Sequence, residues 1–505
     1  MLANLSSFYL LWAGIFLLSF WCLKYFRGVL RAVKSPLSRI PGPFYAPFTT
    51  LHLNYWFAKG TIWKTVEKSH LKYGPIFRLG PRQVWISDKE ALKSILMTKD
   101  LPKVAMYAEI SRDRNSPGLF GEIRPNPHKE LKRFLSPAFT VRYVDGLEFL
   151  FSKCVSDLIN RYENLLLSSV NSGKGQIAVT DLMDDLHSLA LDIMGECSFG
   201  SGFGQTNPDR QPEFEIDKNI WKRIPTGIFK GMTRRYQLVY FKRLLRKFGL
   251  DFMFDWPGEM ITAITAVAKN RSTHPESARP DLLQHLLDNG QIPNTEVRMQ
   301  PRDVVDQMAE ILLAGSETTS GTIACLFLEV LRNPRVHEKL MEGLPIRRPS
   351  DPIITSKEVR NSDEYEYLEA CIKEVLRLHP IASEMGRRTG GEPMELMGYY
   401  LPSHTIVSAS YRELHRSSES WPEPLQFWPE RWLKDRPTYY PFSAGKHACV
   451  GKNFAMAEIR MLTANILSRF RFKEAAGQKI DFRQYITMQF ESGSWKAFLM
   501  PRYAV

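Results

Sequence analysis

The sequence predicts one large, mainly α-helical domain with a minor β portion, held behind a single N-terminal transmembrane helix. Three observations carry that prediction. The chain has 505 residues, 44% of them hydrophobic, which is enough for a sizeable core. Long stretches of helical periodicity dominate the chain, with short alternating runs between them. From Met1 to Leu23 no side chain is charged.

The segment Leu5 to Leu23 is about the length that crosses roughly 30 Å of hydrocarbon as a helix, and Lys24, Arg27, Arg31, Lys34 and Arg39 follow it. A secretory signal has its charges before the apolar core and a small-residue cleavage site after it; neither is present. Positive charge after the span predicts that the remainder stays cytosolic, with Tyr9, Trp12, Trp21 and Tyr25 as interfacial anchors. In RIPGPFYAPF, Pro41, Pro43, Pro47 and Gly42 forbid a helix and predict a stiff extended spacer that sets how the body sits on the membrane. The resulting division is an anchor over 1–26, a basic and proline-rich linker over 27–50, and a globular domain over 51–505.

From Tyr73 to Asp88, two alternating apolar runs separated by Leu79, Gly80 and Pro81 predict a β-hairpin. Helical periodicity returns from Lys89 to Met97, Arg142 to Leu167, Val179 to Cys197, Asp281 to Leu287, Arg302 to Leu331 and Ser362 to Leu378. Strand-like pieces lie between Glu395 and Val407 and between Gln484 and Leu499. No internal repeat or low-complexity segment is visible.

The formal net charge is +13, a basic excess that suits nucleic acid, anionic lipid or an acidic partner. No run of five or six Lys/Arg and no zinc-finger, RRM-like or homeodomain pattern accompanies it. That argues against nucleic acid and leaves lipid and a partner protein. Cys22, Cys154, Cys197, Cys325, Cys371 and Cys449 stand singly, without the spacing of a disulfide framework or zinc site, which predicts a reducing compartment.

Four stretches carry chemistry. In FSAGKHACVG, Gly445 and Gly451 permit close backbone approach, and Cys449 lies just before a helix that begins near Asn453. Amide groups and the helix dipole there should lower the thiol pKa and favour a thiolate, either nucleophile or metal ligand; a small buried cysteine in a turn is the alternative. ILLAGSETTSG places a small-small-x-acid-Thr-Thr cluster inside an otherwise apolar helix. Ala314 and Thr318 share a face, leaving a methyl-sized gap beside a hydroxyl, while Gly315 weakens the ladder so that the helix can open a local groove. CIKEVLRLHP sets Glu374 and Arg377 on one helical face in apolar company, with Arg431 supplied by FWPERW. HKELKRFLSPAF sets His128 and Lys132 four apart.

Together these stretches resemble the cytochrome P-450 family, in order and over nearly the whole chain. Phe442, Gly445, His447, Cys449 and Gly451 match its haem-binding loop, in which the cysteine thiolate is the axial iron ligand. His447 stands where the family most often has an Arg that pairs with a haem propionate; a neutral His still donates a hydrogen bond, but its charge should vary with pH near neutrality. Ala314, Gly315, Glu317, Thr318 and Thr319 match the oxygen-activating helix. Glu374, Arg377 and Arg431 match a buried structural triad, useful only if fully hydrogen-bonded. His128 and Lys132 match the helix that contacts the propionates, with Lys as a point charge in place of the bidentate Arg. Arg388 is the third propionate candidate, and the adjacent Arg387 can take its place.

The resemblance implies a triangular helical domain with small sheets, haem b, dioxygen as co-substrate, and electrons from NADPH through a membrane-bound flavoprotein reductase, with cytochrome b5 as a further donor. It implies a catalytic domain on the cytosolic face of the endoplasmic reticulum membrane that inserts one oxygen atom into an apolar small molecule. Cys449 is the implied iron ligand, Thr318 the hydroxyl that hydrogen-bonds dioxygen, and Glu317 the proton relay. Retention of Glu317 and Thr318 argues against a peroxide-rearranging relative and against a haem carrier or sensor. No oxyanion-type loop or paired His marks a cysteine hydrolase. Substrate contacts are expected from Val104 to Glu122, Phe214 to Tyr240, Met308 to Leu313, Ile381 to Met385 and Met488 to Ser494. These segments hold Met106, Tyr107, Leu119, Phe120, Ile220, Trp221, Phe229 and Phe490, an apolar set. The wording resembles filamentous-fungal microsomal members that act on terpenoid, polyketide or alkaloid intermediates of secondary metabolism; fatty-acid or xenobiotic oxidation is the alternative.

Overall fold

The computed structural model describes residues 2–112, 116–207, 209, 227–233, 244–245, 247–250, 256–434 and 438–503, with side chains from residue 12 onward. The first helix, Leu2–Val33, runs through the basic flank instead of stopping before it. From Trp12 to Val33 it is apolar enough to cross a membrane and is not buried against the body. The proline-rich linker is docked on the body, contrary to the extended spacer expected. Its Pro41 carbonyl accepts from the Arg78 amide at 2.8 Å, and the buried Arg78 guanidinium donates to Ser38, to Pro81 and to the Ala32 carbonyl at the end of the helix. A side chain thereby satisfies a carbonyl that the helix end leaves without an intrahelical partner.

The main core lies where the helices Glu148–Asn171, Leu182–Phe199, Pro301–Arg332, Glu366–Leu378 and Lys452–Arg469 pack together. The central helix Pro301–Arg332 has hydropathy equal to that of the N-terminal one but is mostly buried. Pro301 opens it, the Gln300 amide donates to the Asp303 carboxylate at 2.9 Å, and the Asp303 amide donates to the Gln300 carbonyl at 2.8 Å. Residues Val179 onward do not begin a helix. Ala178–Asp181 is a strand paired with Lys496–Leu499, and the Asp181 side chain then caps Leu182–Phe199.

The expected hairpin forms as Ile76–Gly80 against Gln83–Ile86. It continues into a four-stranded sheet through a parallel pairing with Ile406–Ser410, which in turn pairs antiparallel with Glu384–Arg388. This sheet brings Arg387 beside Lys103 through an isolated bridge. The Lys496–Pro501 strand lies between Ala178–Asp181 and Phe470–Glu474, and Phe482–Gln484 with Met488–Phe490 makes a short hairpin against the central helix.

Candidate functional site

The cysteine loop is fixed by backbone geometry. Gly445 sits at φ 71°, and a Cβ there would run into the Leu96 carbonyl, so only glycine fits. The Cys449 amide donates to the Phe442 carbonyl at 2.9 Å, which closes the loop. Phe442 and Val450 rest on the main core, and Lys446 pairs with Asp100 at 3.0 Å. Gly451 then caps Lys452–Arg469 with no side-chain bond.

Cys449 has solvent-accessible surface but sits deep in the body. Its thiol pKa is raised, not lowered as the sequence suggested: burial outweighs the Gly451 amide and the Lys132 and Lys452 charges. The Gly451 amide acts in the expected direction but is outweighed. The pKa logic of such a thiol inverts when a metal binds, because coordination deprotonates it outright.

Around this loop lies a concentration of positive charge. His128, on Pro125–Leu135, has its Nε2 3.3 Å from His447 Nδ1. Lys103 and Arg387 act electrostatically on both rings. Burial, then these cations, pushes His128 down to about 2. Burial, Arg387 and Lys103 push His447 down to about 3, so in this structure its charge does not vary near neutrality as the sequence suggested. Lys132 is turned toward the loop itself. Its Nζ donates to the Lys446 and Ala448 carbonyls, each at 2.8 Å, so it pins the segment that presents Cys449.

Arg387, and not Arg388, joins the cluster. It is 1% exposed, and none of its three guanidinium nitrogens has a hydrogen-bond partner among the described residues. Successive strand residues face opposite sides; Arg388, the next residue, is only half-buried. Lys103 was missed from sequence because its place depends on the long-range bridge to Arg387. Its Nζ donates to the Leu119 and Phe120 carbonyls at 2.9 and 2.8 Å.

The central helix borders the same region. Glu310 interacts with Lys103 and lies one turn before Ala314, on the same face. Ala314 is exposed although Leu312, Leu313, Ser316 and Glu317 around it are buried. Thr318 Oγ1 donates to the Ala314 carbonyl at 2.6 Å. The helix is assigned unbroken from Pro301 to Arg332, so the expected groove does not interrupt it. Gly315 has a tertiary reason: a Cβ would collide with Met194 on the neighbouring helix. Glu317 is buried, with Oε2 unpartnered. Burial pushes its carboxyl up to about 7, against Arg483 and a Thr487 hydrogen bond. Gln489, also missed from sequence, donates to the Glu317 carbonyl at 2.7 Å. Asp306, Gln307 and Glu310 clasp the loop before Pro125: Asp306 accepts from Arg112, Gln307 from the Leu119 amide, and Glu310 from the Phe120 and Gly121 amides. Three polar residues inside an apolar helix were the available signal for that clasp.

Glu374, Arg377 and Arg431 come together as expected. Arg377 is fully buried and bonds Glu374 through Nε and Nη2, at 3.0 and 2.7 Å, and the His415, Pro424 and Gln426 carbonyls. Arg431 Nε reaches Glu374 at 3.1 Å, and the Trp428 amide and Trp432 indole donate to the same carboxylate.

Of the expected substrate-facing residues, Tyr107, Phe120 and Phe229 form one aromatic cluster, with ring centres 5.1 and 6.3 Å apart. Phe490 packs instead on Phe482 and Trp495 in the core. Ile220 and Trp221 lie outside the described residues.

The site fits a haem. Among the described residues no three His, Cys, Asp or Glu side chains could hold a metal ion together. A haem brings its iron's other ligands with it and would need only Cys449 from the chain. The buried, unpartnered Arg387 with Lys103, His128 and His447 suits the carboxylates such a group bears, and Ala314 offers a small apolar surface. Comparisons with known proteins agree. The Cytochrome P450 family profile matches residues 40–496. The chain is 31% identical to "Cytochrome P450 monooxygenase acrD" of Aspergillus aculeatus over 89% of this chain and 88% of that one. It is 30% identical to "Cytochrome P450 monooxygenase FUS8" of Gibberella fujikuroi, over 94% and 90%. It is 27% identical to "Averantin hydroxylase" of Dothistroma septosporum, over 96% and 88%. With its cysteine loop, acid–threonine helix and family profile in agreement, this chain belongs to the cytochrome P-450 family of monooxygenases.

Proposed function

We propose that this chain is a membrane-anchored haem-thiolate monooxygenase that hydroxylates or epoxidises an apolar intermediate of fungal secondary metabolism. The observation that carries the site assignment is Arg387, a buried guanidinium with no partner among the described residues, beside the loop that presents Cys449. Haem b, bound there, supplies the redox chemistry that activates dioxygen.

The residues of the chain divide the remaining work. Cys449 Sγ would ligate the haem iron, and Lys132 holds its loop by two backbone carbonyls. Arg387, Lys103, His128 and His447 orient the group through its propionates. Phe442, Gly445 and Gly451 shape the loop, and Gly445 admits the Leu96 carbonyl. Ala314 leaves room beside Thr318, whose hydroxyl donates to the Ala314 carbonyl in this structure and would have to turn from it to donate to dioxygen held in the site. Glu317, with its carboxyl pushed up to about 7, carries protons at neutral pH. Glu374, Arg377 and Arg431 keep the scaffold in register.

Electrons come from NADPH through a flavoprotein reductase, with cytochrome b5 as a second donor. The N-terminal helix sits in the endoplasmic reticulum membrane, and the basic flank after it keeps the body cytosolic. The substrate reading draws support from the relatives named above, one of which is an averantin hydroxylase.

Thr318→Ala tests the assignment in a reconstituted system with reductase, NADPH and labelled dioxygen. The wild-type protein should place label in product. The variant should consume NADPH at a comparable rate while diverting most electrons to peroxide or water. Unchanged coupling to product would remove Thr318 from the mechanism.

A further inference from the structure

A second space lies between the helix Leu51–Lys59, the four-stranded sheet and the Phe482–Phe490 hairpin, with a cavity volume of about 80 Å³. Phe57, Trp85, Tyr107, Glu384 and Gln484 are in its wall, and Glu384 is its one carboxylate. The Trp85 indole donates to Glu384 Oε2 at 2.6 Å, which fixes where the carboxylate points.

Among the described residues Glu384 has no counter-charge. It makes no ion pair among the described residues, and the charged neighbour that acts on it, Glu413, has the same sign. The nearby cations Lys230 and Arg483 lie over the Tyr485 ring instead. Gln484 adds a second acceptor. Its Nε2 donates to Ser383 at 2.6 Å, while its Oε1 is buried without a partner. A cavity wall with two acceptors, one of them anionic, and aromatic rings beside them is built to receive a cation that carries N–H.

We propose that Glu384 and Gln484 bind the protonated amine of an amphiphilic small molecule, so that the substrate class is an apolar body bearing one basic nitrogen. This rests on the monooxygenase reading above and narrows it. Burial pushes the Glu384 carboxyl up to about 7, as expected of an acid that lacks the cation the ligand would bring. A neutral hydroxyl ligand would satisfy Gln484 but leave the carboxylate uncompensated.

The test is calorimetric titration of the full-length, haem-loaded protein with two probes that share a tail, N,N-dimethyl-4-phenylbutylamine and 4-phenylbutan-1-ol, with the Soret band reporting any ligation to iron. The amine should bind at least about tenfold more tightly than the alcohol. In Glu384→Gln the two should come within about twofold, with haem content unchanged. Equal affinities in the wild-type protein, or an amine preference that survives E384Q, would overturn the proposal. If E384Q does not load haem, Gln484→Met serves. It should lower amine affinity about three- to tenfold and leave the alcohol unaffected; no loss would overturn the proposal. Failure of the monooxygenase reading is separate, because an imidazole-type carbon monoxide spectrum indicts Cys449 whichever probe binds.

Discussion

Arg377 and Arg387 are ten residues apart, both buried, and opposite in what they do. Every nitrogen of Arg377 has a partner: Glu374 takes two of its bonds, and three backbone carbonyls take the rest. Among the described residues, no guanidinium nitrogen of Arg387 has one. A satisfied buried charge is a scaffold element, because its desolvation is already offset within the fold. An unsatisfied one disfavours the fold around it and is a binding element, because a ligand supplies the missing term. The same residue type at the same depth thus marks architecture in one place and recognition in the other.

The largest effect should come from breaking the satisfied side. Glu374→Ala leaves Arg377 and Arg431 buried without their carboxylate and should cost about 3–5 kcal/mol. Denaturant titration should show this as a large fall in midpoint or as loss of folded protein. A cost under about 1 kcal/mol would erase the contrast.

Arg387→Met should do the reverse to the haem-free protein, raising its stability by about 1–3 kcal/mol as the unpaired charge is removed. The same change should weaken haem retention, measured by transfer to an acceptor apoprotein. Destabilisation of the haem-free form would show that Arg387 is a scaffold residue after all.

The smallest effect concerns His128. Its folded pKa of about 2 lies below the ordinary 6.5, so the unfolded chain binds the extra proton first. Its contribution is therefore whole above about pH 6.5 and is lost as pH falls toward the folded value. Between pH 6.5 and 5 the haem-free protein should lose about 1–2 kcal/mol through this residue. The sharper form of the experiment compares His128→Gln, whose stability should fall less over that range; a slope identical to wild type would remove His128 from the cluster. Haem loading should also flatten the wild-type slope, because propionates favour the protonated ring.

Much of the site was legible in the sequence because its chemistry is local. The cysteine loop, the Ala314 to Thr319 helix segment and Glu374 with Arg377 each sit within one short window, where spacing alone fixes shared faces. What was illegible depends on distant chain. Which of Arg387 and Arg388 joins the cluster was open in the sequence, because it depends on how the strand is packed: Arg387 is the one that is fully buried and acts on His447. Lys103 arrives through a bridge to that strand. Gly315 lets Met194, more than a hundred residues earlier, pack close against the helix, and Val179 is a strand residue because Phe498 lies beside it. The raised Cys449 thiol pKa is a balance between burial and dipole, and sequence shows only the second.

The central claim is that Cys449 ligates haem iron as a thiolate. Reduction of the purified protein followed by carbon monoxide tests it most directly. The account predicts the red-shifted Soret band of thiolate-bound haem, and an unshifted, imidazole-type band would contradict it.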